Sequence, residues 1–112
     1  MKKTLEELSK VTGVTGTMLV SRDGMVILSD LPEGTEQDRV AAMAALVATT
    51  TDNSLHKIQR GALLHAMFDA DGGKMFLSDA GKGFVVVLTK DDVNVGLIRL
   101  EIKTAAERIR SH

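Results

Sequence analysis

Residues 15–30 read TGTMLVSRDGMVILSD, two apolar runs on either side of Arg22-Asp23-Gly24. Asp-Gly supplies the positive φ of a type I′ turn, so Thr17–Ser21 and Met25–Ser29 are expected to pair as antiparallel strands. Met18-Leu19-Val20 and Val26-Ile27-Leu28 show no alternation. A strand with one wet face alternates, so this hairpin predicts a sheet covered on both faces. Neither run carries an obvious catalytic group.

Outward from the hairpin the same logic sets the remaining elements. Upstream, Thr4 with Glu7 three positions later makes a capping-box pattern for a short helix, with Leu5 and Leu8 on one face and Gly13 as the stop. Downstream, Leu31-Pro32-Glu33-Gly34 breaks the chain before a long helix over 36–59, with Thr35 as cap and Asp38 at the capping-box position. Val40, Met43, Val47, Leu55 and Ile58 keep helical spacing and predict its core face. Strands are expected over Ala62–Phe68, Met75–Ser78 and Phe84–Leu88, separated by Asp71-Gly72-Gly73 and Gly81-Lys82-Gly83. Phe84-Val85-Val86-Val87-Leu88 has no polar member and predicts a central strand. A last helix carries Val95, Ile98, Ile102, Ala105 and Ile109 at three-and-four spacing. The expected fold class is α+β: one domain over residues 1–112, with a five-stranded antiparallel sheet and helices on both faces.

Composition narrows the function. The 112 residues are 44% apolar and 26% charged, with 14 basic against 15 acidic side chains, so no net field favours nucleic acid or an anionic membrane. Cysteine is absent and the charged start MKKTLEELSK lacks the apolar centre of a signal peptide, which makes the cytoplasm the default location. Phe68, Phe76 and Phe84 are the only aromatic residues, a poor supply for base stacking.

A search for chemistry returns little. His56, His65 and His112 lack the spacing of metal ligands, and DADGGK at 69–74 has Ala80 where a calcium loop needs a bidentate Glu. GKG at 81–83 is followed by a strand and lacks the Ser/Thr and helix of a phosphate loop. No serine sits in a nucleophile elbow. The expectation is a protein that is no enzyme, with no cofactor, no metal, and a working surface instead. Ala41, Ala45, Ala48 and Asp52 form a small-residue stripe on the long helix. Alanine is the best helix former, which explains such a stripe without any partner. The alternative is a helix face that a second copy approaches closely, in a symmetric dimer.

Three segments carry a family resemblance: GVTGTMLVSRDGMVILSDLP at 13–32, DRVAAMAALVATT at 38–50 and NVGLIRLEIKTAAERIR at 94–110. Together they resemble the roadblock/dynein light chain family, above all its single-domain prokaryotic members of the MglB type. The resemblance implies a profilin-like fold and a homodimer joined through the long helix at 36–59 and an edge strand at 62–68. Besides the alanine stripe, it puts Leu63, His65 and Met67 at that interface. It also implies a Ras-like small GTPase as partner, regulated or scaffolded without catalytic residues of the chain's own. A structural adaptor for a kinase, motor or polarity complex, or a small-molecule-sensing module, is the alternative. Among Arg22, Arg39, Arg60 and Arg99, Arg22 is the clear loop-tip candidate for reaching a bound nucleotide, although an arginine in a hairpin turn is ordinarily just solvated.

Overall fold

In the computed structural model, which describes residues 1–112, the chain runs α1 (Lys2–Ser9), β1 (Val14–Val20), β2 (Val26–Asp30), α2 (Gln37–Lys57), β3 (His65–Ala70), β4 (Gly73–Asp79), β5 (Phe84–Thr89) and α3 (Val95–Arg110). The five strands form one antiparallel sheet in the order β2-β1-β5-β4-β3. The expected architecture holds, with α2 on one face and α1 and α3 on the other.

The apolar run at 84–88 sits at the centre because it needs cover on every side. Its strand pairs with β1 and β4, and Phe84, Val85, Val86 and Val87 are each at most 1% exposed. Alternate residues feed two separate cores. Val85 and Val87 join Leu19, Phe76, Ile98, Ile102 and Ile109 under α1 and α3. Phe84 and Val86 join Met18, Val20, Leu77 and the alanines of α2 on the opposite face. Each fully buried side chain of this size contributes roughly 1.5–3 kcal/mol of transfer free energy, which makes the double-sided strand the main source of cohesion.

Several local expectations are corrected. The hairpin between β1 and β2 is not a type I′ turn: Gly24 has φ 90° but Asp23 does not enter the left-handed region. Gly24 N–H donates to Ser21 O at 3.0 Å and Ser21 N–H to Met25 O at 2.9 Å, closing a three-residue loop in which only the glycine is left-handed. The carboxylate of Asp23 accepts from the Ser21 hydroxyl inside this loop. β2 is the sheet's outer strand, yet both its faces are packed as expected: Val26 lies against the core under α2 and Leu28 against the core under α1 and α3, while Ile27, the extra residue where the register shifts, is left 38% exposed. β3 starts at His65, three residues later than its sequence pattern suggests, so 62–64 belong to the incoming loop.

Neither expected capping box forms. Met1 occupies the cap of α1, Thr4 lies inside the helix, and Glu7 reaches across to Arg108 of α3 at 3.0 Å. Glu36 caps α2 with no side-chain bond, and Thr35 lies outside it. Only α3 has a side-chain cap, Asn94 Oδ1 accepting from Leu97 N–H at 3.0 Å.

Candidate functional site

The apolar face that spacing predicts for α2 is met only in part: Val40, Val47 and Leu55 pack against the core, but Met43 and Ile58 do not, and alanines make the closest contact. Ala41, Ala44, Ala45 and Ala48 are each 5% exposed or less and lie against the chain's own sheet. Met18, Val20, Leu77, Phe84 and Val86 already fill that side, so the helix reaches the sheet through single methyl groups. The larger residues then turn outward: Met43 is 53% exposed, Leu46 57% and Ile58 63%, while Val40, Val47 and Leu55 are half-buried. In the folded chain the alanines of the stripe face its own sheet. The ridge beside it faces outward.

Asp52, the polar end of the stripe, has an internal task. Its Oδ1 accepts the backbone N–H of Leu63 at 2.7 Å. Leu63 is only 6% exposed and belongs to the core beneath α2. His65 and Met67 stay exposed on β3, where alternation places them on the α3 side of the sheet. Of the seven residues expected at an interface, these two leave their side chains most open.

β3 pairs with β4 on one side and with nothing on the other. A free edge of this kind presents unpaired N–H and C=O groups to any added strand. Next to it, on the face under α2, Ala66, Phe68, Met75 and Leu88 are only half-buried, because α2 lies over β1 and β2 at the opposite end. The outer ridge of α2, this half-covered strip and the β3 edge lie on the same side or border of the sheet and together make an apolar step.

The arginines are distributed differently from expectation. Arg22 is held down: its guanidinium meets Asp79 Oδ1 at 2.8 Å and lies 4.9 Å from the centre of the Phe84 ring. Arg110 takes the other oxygen of Asp79 at 3.0 Å. Partial burial pushes the Asp79 carboxyl up, but the Arg110 hydrogen bond, the Gly81 N–H and the charges of Arg22 and Arg110 outweigh it and hold the group below its usual value. Arg39 pairs with Glu36 at 2.9 Å and Arg99 donates to His65 at 2.8 Å. Arg60 is the exposed loop arginine without an ion pair, between Gln59 at φ 67° and Gly61 at φ 81°. Its place just past α2 gave no periodic signal in the sequence.

Known proteins share this fold. The Roadblock/LC7 domain profile matches residues 1–90, stopping short of the segment at 94–110. Three uncharacterized proteins of Methanocaldococcus jannaschii are 38% to 40% identical over 109 residues, covering 97% of this chain and 92% to 96% of their own. Among solved structures, a Roadblock/LC7 domain from Streptomyces avermitilis superposes with a TM-score of 0.90 at 20% identity, covering 99% of this chain and 95% of its own. Myxococcus xanthus MglB gives 0.91 at 18% identity, over 98% of this chain and 91% of its own. The structural likeness is one of fold, and it extends through α3. With the profile over most of its length and relatives matching nearly end to end, the chain belongs to the Roadblock/LC7 domain family.

Proposed function

We propose that the protein is a homodimeric regulator or scaffold of a Ras-like small GTPase, acting through its surface and not through catalytic groups. The observation that carries the dimer is the apolar step. A second copy related by a two-fold axis lays its α2 ridge over the half-covered strip and pairs its β3 edge with this one, covering both liabilities at once. Supporting it are Leu46, 57% exposed at mid-helix, and the half-buried Phe68 beside the free strand.

The GTPase partner follows from the family resemblance and from a platform with no reactive group at its centre. Such a regulator works by differential affinity. It holds one conformation of the GTPase more tightly than the other and moves the population by that ratio.

Two measurements test the reading. Light scattering should give twice the chain mass for the wild type and the single mass for Leu46→Glu. GTP turnover by a Ras-like GTPase from the same genome should then change on adding the wild type and not on adding the variant. Equal binding to the GTP- and GDP-bound forms, with turnover unchanged, refutes regulation and leaves a scaffold.

A further inference from the structure

The α3 side of the sheet carries a second concavity, on the face opposite the α2 ridge, whose β3 wall also bears the edge paired in the proposed dimer. A groove of about 530 Å³ runs between α3 on one wall and β3 with β4 on the other. Phe76, Ile102 and Ala106 form a buried floor, and Leu64, Met67 and Leu100 stand at its rim 67%, 41% and 61% exposed. The lining residues of α3 extend from Gly96 to Arg110, a helical length of roughly 20 Å. A groove of that length, walled by a helix and a strand, matches the reach of an extended segment of about six residues.

Charge is unevenly placed along it. Arg99 and Lys103 stand one turn apart on the groove wall, and neither has a carboxylate within 4.0 Å. Like charges at this spacing weaken a helix, so a ligand of opposite sign would relieve the pair. Arg99 instead donates to His65 Nε2 at 2.8 Å; a guanidinium can only donate, so that nitrogen accepts and the ring adds no anion. Asp79, deeper in the groove, is already taken by Arg22 and Arg110. Glu107 stands at the far end, one turn beyond Lys103. The half between Gly96 and Lys103 is thus apolar below and cationic above.

We infer that this groove docks an extended, acidic segment of a partner polypeptide, with alternate apolar side chains on the Phe76–Ile102 floor and carboxylates on Arg99 and Lys103. Arg is suited to bidentate carboxylate recognition, and apolar side chains facing the floor supply area. The inference is independent of the GTPase reading.

The probe is a fluorescein-labelled hexapeptide of alternating leucine and glutamate, with leucine–lysine and short polyphosphate controls, read by anisotropy. Backbone amide shifts of the isotope-labelled protein locate the binding. The glutamate peptide should bind at least tenfold more tightly than either control and shift amides of β3 and the first half of α3. The double variant Arg99→Glu, Lys103→Glu should lose that preference, with circular dichroism and melting temperature checked against wild type. Both positions are exposed, so the fold should persist. Equal binding of the controls, undiminished binding by the folded variant, or shifts confined elsewhere would overturn the inference.

Discussion

Asp52 Oδ1 accepts the backbone N–H of Leu63 at 2.7 Å, tying the last turns of α2 to the loop that delivers β3. One side chain thereby sets the relation between the two elements that form the apolar step. Asp52→Ala leaves the N–H of a nearly buried residue without its acceptor and should cost about 1–2 kcal/mol. Asp52→Asn keeps an acceptor oxygen and should recover most of that loss. Urea denaturation of the three proteins, compared at equal chain concentration, checks the order.

The two faces of α2 separate two substitutions of the same kind. Ala45→Glu forces a carboxylate into the methyl-wide gap over the sheet and should remove several kcal/mol, enough to prevent folding. Met43→Glu, on the exposed ridge, should leave the melting temperature of the monomeric fold nearly unchanged while weakening self-association. Circular dichroism together with light scattering distinguishes loss of fold from loss of the dimer.

The ion cluster at Asp79 predicts an acid limb. Its carboxyl is held below the usual value in the folded chain, so its stabilising contribution is complete above the unfolded value, about 3.9, and is lost as pH falls through the lower folded value. Wild type should therefore lose more stability than Asp79→Asn between roughly pH 5 and pH 2. Parallel stability curves for the two proteins would disprove this assignment. Arg22→Ala should shallow the same limb, since it removes one of the two cations.

Glycine tolerance should split by position. At Gly83 an added Cβ would run into the Val20 carbonyl oxygen, and at Gly73 into that of Thr89, where φ is also 131°. Alanine at either site should cost more than 2 kcal/mol, as expected for strain against backbone that cannot yield. Gly72→Ala meets nothing within 4 Å and needs no left-handed φ, so it should fall within about 0.5 kcal/mol of wild type. Thermal melts of the three variants check the order.

How much of this could be read from the residues depended on whether the deciding contact was local. Strand content and the central place of Phe84–Leu88 were legible, because a run without polar members has one economical location in a sheet. Ile98, Ile102 and Ile109 were legible because α3 buries large residues in the ordinary way. On α2, Val40, Val47 and Leu55 were legible, but Met43 and Ile58 misled because hydrophobicity ranks methionine and isoleucine above alanine, whereas the sheet beneath was already filled by Met18, Val20 and Phe84. Volume, not polarity, decided that face. His65 and Arg99 are 34 positions apart, and Arg22 and Asp79 are 57 apart, so no spacing rule could have paired them. The groove on the α3 side emerges only when such distant segments are brought together.

The row of methyl groups beneath α2 has a mechanical meaning. With alanines at the closest contacts, the height of that helix above the strands is kept low and has little room to fall further. A visitor that touches the ridge and the strand border together meets a step of fixed rise. Enlarging any spacer would lift the helix and spoil the fit without altering a single atom of the contacted surface.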